Sequence, residues 1–184
     1  MKIPVGISAR HIHLTKEDYY KIFGLNELTK LKDINQPGLF ACNEVVTLKG
    51  NKGTIKNVRI LGPFRNYSQV EISKTDSYNL GVNVLMRKSG DLDNVEKIEV
   101  IGPKGSIFVP VILANRHIHI SKSQANDLNV KDRQLVTVKI KGEKPGAILA
   151  EFKVSDEAYL ELHLDLDDAN AFLLKQGDEV EINI

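Results

Sequence analysis

One segment occurs twice. Ser8-Ala9-Arg10-His11-Ile12-His13-Leu14-Thr15-Lys16 matches Ala114-Asn115-Arg116-His117-Ile118-His119-Ile120-Ser121-Lys122. Each copy reads R-H-I-H, an apolar residue, a hydroxyl that suits a helix N-cap, and a lysine. In a chain of 184 residues, such a repeat predicts two related units, each near the lower end of domain size. The rest of the two halves is not visibly similar. No low-complexity linker separates them. The chain is also too short for a (β/α)8 barrel, which needs about 200–250 residues.

The apolar pattern is short and strand-like. Val45–Leu48, Val58–Leu61, Val70–Ile72, Ile98–Ile101, Leu135–Ile140 and Val180–Ile184 are rich in β-branched residues. Glycine and proline turns punctuate them, as at Gly50-Asn51-Lys52-Gly53, Gly62-Pro63 and Gly102-Pro103-Lys104-Gly105. Strands at this spacing predict small barrels or sandwiches. Three short helices are expected. One runs from a Thr15 cap to a stop at Gly24, and one opens with the capping box Ser121-Lys122-Ser123-Gln124. A third spans Ala169–Gln176, capped by Asp167 or Asp168 and ended by Gly177.

Charge excludes some functions. With 25 basic and 24 acidic side chains the net charge is +1, too balanced for a broad nucleic-acid surface. No run approaches the ~18 apolar residues of a membrane span. The N-terminus carries no signal-peptide pattern. The single cysteine, Cys42, cannot pair internally; it reads as core filler and points to a reducing, cytoplasmic location.

The histidines carry the chemistry. Four of the five lie in the two H-x-H pairs; the fifth is His163. On a strand, residues i and i+2 share a face, so each pair presents two imidazoles side by side to one cation. Each pair needs a third ligand. His163 is the spare histidine, and Glu71 in Gln69-Val70-Glu71-Ile72 is the carboxylate that best completes the other set. On spacing alone it could equally face solvent. Three protein ligands with an open position describe a catalytic zinc site; nickel, cobalt and iron share the ligand preference. Arg65, after the Gly62-Pro63 turn, offers a planar fork suited to phosphate. No P-loop and no dinucleotide fingerprint is present.

Four motifs in order, Ser8–Leu14, Leu61–Arg65 with Gln69–Ile72, Ala114–His119 and His163–Asn170, resemble the PduL-type phosphotransacylases, or phosphate propanoyltransferases. The resemblance runs from about residue 4 to the C-terminus. It implies exchange of acyl-CoA plus phosphate with acyl-phosphate plus CoA, on short acyl groups such as propionyl or acetyl. It also implies two zinc ions, one held by His11, His13 and Glu71, the other by His117, His119 and His163. Arg65 would bind phosphate. Ile7, Ser8, Ala9, Lys52, Arg59 and Asn170 would meet coenzyme A. The implied fold is mainly β, two small β-barrels capped by short helices, with residues 1–9 joining 115–184 in one barrel and 10–114 forming the other. The family serves propanediol degradation in bacterial microcompartments, and its microcompartment members often carry an N-terminal amphipathic extension. His11 stands ten residues from Met1, so either a cytoplasmic member or a member trimmed of that extension is expected. The last motif departs from the family pattern, with Leu166 and Asp168 where Thr and Glu are common.

No activated nucleophile is visible, so direct phosphate attack on the thioester is expected rather than an acyl-enzyme. Two other readings compete. A mononuclear metal oxygenase or hydrolase would use His11, His13 and Glu71, or a cupin-like set with Glu17, but would leave the second R-H-I-H idle. A non-catalytic zinc-binding module would lose its fold, but no activity, with its metal. A homodimer is the default assembly.

Overall fold

The computed structural model describes residues 1–184. The chain divides into two compact units, Met1–Ala9 with Asn115–Ile184, and Arg10–Ala114. Each has its own closed apolar core. The fold is mainly β: two closed six-stranded barrels and four short helices.

Strand β1 (Lys2–Ile7) stands apart in sequence from the rest of its unit. The unit Arg10–Ala114 holds β2 (His11–His13), α1 (Lys16–Phe23), β3 (Lys30–Asp33), β4 (Phe40–Lys49), β5 (Thr54–Gly62), β6 (Gln69–Glu71), α2 (Lys74–Leu80), β7 (Leu85–Arg87), β8 (Lys97–Ile101) and β9 (Ser106–Ala114). Its barrel runs β9-β6-β2-β5-β4-β8, closed by the β8–β9 pairing, with β3 and β7 outside the ring. The remaining elements are β10 (His117–Ser121), α3 (Lys122–Asp127), β11 (Leu135–Ile140), β12 (Gly146–Ser155), β13 (Glu161–Leu164), α4 (Leu166–Ala171) and β14 (Glu179–Ile182). With β1 they close a ring in the order β1-β13-β10-β12-β11-β14.

The two rings correspond strand for strand. In each, the H-x-H strand pairs in parallel with the second strand of a hairpin and antiparallel with a short strand before a helix. That short strand then pairs in parallel with the strand preceding an R-H-I-H segment. There is an exchange: β1, which precedes the first R-H-I-H, belongs to the barrel containing the second copy. β9, which precedes the second, belongs to the barrel of the first. Alternation explains the burial within β1, where Ile3 and Val5 point inward.

The helix caps follow the sequence in two cases. Thr15 Oγ1 accepts from Asp18 N, and Gly24 ends α1 in the left-handed conformation at φ 68°. Ser121 and Gln124 form the reciprocal capping box of α3. The third expected helix differs. Asp165, not Asp167 or Asp168, is the cap of α4, accepting from Asp168 N at 2.8 Å. The helix stops at Ala171 because Leu173 turns to φ 56°. Helix α2 was not expected from the sequence. It is short and largely polar, so it has no apolar stripe to read, yet its start carries a capping box of Ser73 and Asp76.

Candidate active site

Barrel register assembles the first cluster. On β2 the residues 11 and 13 share a face, and β6 lies antiparallel with His11 opposite Glu71. His11, His13 and Glu71 bring their ligand atoms within 4.8 Å of one another. His11 Nε2 stands 3.5 Å from a Glu71 oxygen. All three are buried. His13 Nδ1 lies 3.2 Å from the Leu61 carbonyl. A carbonyl only accepts, so Nδ1 carries the proton and the lone pair is on Nε2. Burial, then the nearby His11 and Arg65, lowers the His13 pKa to about 2. The ring is therefore neutral at neutral pH, the form that binds a metal.

The second cluster is built the same way. His117 on β10 pairs with His163 on β13, and His117, His119 and His163 bring their ligand nitrogens within 4.8 Å of one another. His117 Nδ1 donates to the Asn115 carbonyl at 2.8 Å, leaving its Nε2 lone pair 3.1 Å from His119 Nε2. Burial, then His163 and His117, pushes His119 far below the usual imidazole range. Converging ring nitrogens, with His13 and His119 held neutral, fit a divalent transition metal in both clusters.

Behind each cluster lies an ion pair that uses the arginine of R-H-I-H. Arg10 donates to the buried Asp76 carboxylate through Nε at 2.9 Å and Nη2 at 2.8 Å. Arg116 grips Asp168 through Nε at 2.8 Å and Nη2 at 2.7 Å. Asp76 and Asp168 each stand five residues after the third member of their cluster, in the first turn of α2 and α4. The motif arginines therefore tie the H-x-H strand to the helix that follows the third member of its cluster. Sequence comparison does not find this likeness, because the aligned letters, Gln69-Val70-Glu71 and Glu161-Leu162-His163, differ at every position.

Arg65 follows the cis Gly62–Pro63 peptide. Its backbone N–H donates to the Leu14 carbonyl at 2.9 Å, fixing it just beyond β2. Its guanidinium donates to Tyr67 Oη at 3.2 Å and Ser89 Oγ at 2.9 Å. Gln69 Nε2 donates to Ser89 Oγ at 3.0 Å and to Glu71 Oε1 at 2.6 Å, while Gly90 N donates to Gln69 Oε1 at 2.7 Å. A continuous hydrogen-bonded path thus joins Arg65 to Glu71. Tyr67, Gln69 and Ser89 went unassigned in the sequence. The mirrored position of Gln69 and Glu161 was the available signal for Gln69; nothing local marks Ser89.

The other expected residues are divided between the units. Ile7, Ser8 and Ala9 lie at the end of β1, where Ser8 N donates to the Leu164 carbonyl at 2.8 Å. Asn170 is exposed on α4 of the same unit. Lys52 and Arg59 belong to the other unit. Lys52 is exposed in the β4–β5 turn, and Arg59 Nη1 donates to the Cys42 and Asn43 carbonyls at 2.9 and 2.8 Å. Cys42 is buried, and burial raises its thiol to about 11, so it is no nucleophile at neutral pH. Glu17 lies in the first turn of α1, paired with Lys21 at 2.8 Å, and joins neither cluster. No helix is long and apolar enough to cross a membrane.

Comparison with known proteins decides among the chemistries these clusters allow. Residues 4–175 match the family model for phosphate propanoyltransferase. The chain belongs to the phosphate propanoyltransferase family. It is 44% identical to the phosphate propanoyltransferase of Thermotoga maritima over 98% of this chain and 88% of that protein. It is 47% identical to that of Priestia megaterium, over 96% and 83% of the respective lengths. Against that of Salmonella typhimurium it is 43% identical over 92% and 82%. The protein is therefore an enzyme, a phosphate acyltransferase of the phosphotransacylase type.

Proposed function

We propose that this enzyme is zinc-dependent and exchanges a short acyl group, propionyl or acetyl, between coenzyme A and phosphate. The observation that carries the reading is the pair of three-ligand clusters, one of them hydrogen-bonded through Gln69 and Ser89 to Arg65. His11, His13 and Glu71 hold one zinc; His117, His119 and His163 hold the other. When bound, zinc supplies Lewis-acid stabilisation of negative charge developing on oxygen or sulfur.

Arg65 binds phosphate. Tyr67 and Ser89 accept from one of its nitrogens and so hold the fork in place, and a planar guanidinium matches two phosphate oxygens. Phosphate is already an oxyanion at neutral pH, so the chain has to position it rather than deprotonate it. A phosphate oxygen attacks the thioester carbonyl carbon. The C–S bond breaks, its electron pair leaves on sulfur, and acyl-phosphate and the CoA thiolate result. No covalent acyl-enzyme is required, in keeping with the buried, protonated Cys42. Ile7, Ser8, Ala9, Asn170, Lys52 and Arg59 are the residues we assign to coenzyme A, and a homodimer is the expected assembly. The two structural units are read as the two domains.

One purified sample tests this. Metal analysis should find two zinc ions per chain, and propionyl-CoA should release thiol only when phosphate is added. A metal-free protein with full activity would refute the zinc assignment. Ping-pong kinetics would refute direct attack.

A further inference from the structure

The two clusters occupy equivalent positions in equivalent barrels, yet one exchange separates them. In the first, Gln69 precedes Glu71 by two residues on β6; in the second, Glu161 precedes His163 by two on β13. Residues two apart share a strand face, and in both clusters they touch. Gln69 Nε2 donates to Glu71 Oε1 at 2.6 Å, and His163 Nε2 donates to Glu161 Oε2 at 2.8 Å. Each group of four side chains therefore contains one carboxylate. In the first it is the ligand and its partner is a neutral amide. In the second the ligand is an imidazole and its partner is the carboxylate.

A second observation shows that the exchange was accommodated. Gly6 on β1 is the register partner of His163. A Cβ there would lie 2.7 and 2.8 Å from the Glu161 carboxylate and 2.9 Å from the His163 ring. The equivalent partner of Glu71 is Ile112, a full-sized and fully buried side chain. The neighbouring strand is hollowed only where an imidazole and a carboxylate must fit together. Glu161 itself is 2% exposed, so its contact with the His163 ring is made in a low-dielectric interior, where polar interactions are strong.

We propose that Glu161 supplies the negative charge of the second metal centre, held against His163, so that both centres present one carboxylate to a divalent cation although the ligand sets differ. Glu161 is a positioning and charge-balancing residue. This rests on the metal reading above, and it adds a residue that the three-histidine set does not contain.

The test isolates the second centre in the full chain by replacing His11 and His13 with Ala, then measures zinc affinity by chelator competition. Glu161→Gln keeps the shape and removes the charge; it should weaken zinc binding about 10–100-fold, the range for a group supporting a metal ligand. Adding His163→Glu to Glu161→Gln rebuilds the first centre's Gln-x-Glu pair and should recover most of the loss, although a histidine ligand has been removed. Near-ultraviolet circular dichroism of the metal-free forms checks that each variant keeps its fold. Unchanged affinity in Glu161→Gln overturns the proposal, as does a double variant that binds more weakly than the single one. If the parent chain, with all six ligands, binds no zinc, the metal reading falls and takes this proposal with it.

Discussion

The two barrels solve one problem with different surroundings. In the first, His11, His13 and Glu71 are all buried, and the path through Gln69 and Ser89 leads to Arg65. In the second, the histidine side chains are only partly buried, and the carboxylate against the third histidine is Glu161. The backbone frame is the same down to the strand register. What differs is what the frame is furnished with. The lesson is that the repeat keeps where side chains point while the residues at those positions differ.

The most drastic way to break the comparison is to strip both centres of metal. A strong chelator should reduce phosphate-dependent thiol release to background, and added zinc should restore it. Full activity after verified metal loss would end the equivalence of the clusters as working centres. Next in size is Arg65→Ala, which touches only the first barrel. It should lower kcat/KM for phosphate by about 10²–10³, the loss typical of an oxyanion-binding donor. Arg65→Lys should recover only part, because a point charge cannot replace the fork. Unaltered phosphate kinetics would remove Arg65 from the site.

The ion pairs behind the clusters offer a finer contrast. Asp76 is buried and also serves the α2 capping box, so Asp76→Ala should cost about 2–3 kcal/mol. Asp168 is 19% exposed against 3% for Asp76, so solvent screens its pair more and Asp168→Ala should cost about 1 kcal/mol or less. Denaturant titration of both variants gives the order; equal losses would mean that burial does not distinguish the two struts.

Acid sensitivity of the metal-free protein probes one ring from each barrel together. His13 is held at about 2 and His119 is likewise lowered, against 6.5 for a free imidazole. Below 6.5 the unfolded chain takes up protons that the folded chain refuses. Stability therefore falls as pH drops through that window, by up to about 1.4 kcal/mol per pH unit for each ring. Bound metal should flatten the loss until protons displace it. A metal-free protein equally stable at pH 7 and pH 5 would show that the rings are not held neutral.

Much of this was legible in the chain. The repeated R-H-I-H marked both centres, because an i, i+2 pair on a strand needs no other residue to define its face. The third member of each cluster was harder, since it comes from a separate strand and only register places it. The frame conserved a position and not a side-chain type, so Glu71 and His163 do not align as letters. The capping box at Ser73 was readable, yet α2 has no apolar period to draw attention to it. The α4 cap fell at Asp165 because three aspartates compete there, and backbone geometry chose the one whose side chain reaches the N3 amide. Ser89 has no motif of its own; it matters only because β7 carries the chain back beside Gln69.

The exchange of β1 and β9 has a consequence for how the polypeptide is made. The barrel within Arg10–Ala114 has all its strands once Ala114 is synthesised. Strand β1 emerges before that barrel, but its neighbours β13 and β14 are translated after it. Ile3 and Val5 must wait for those strands, so the barrel holding the second R-H-I-H closes only after the strands of the other barrel have all been made.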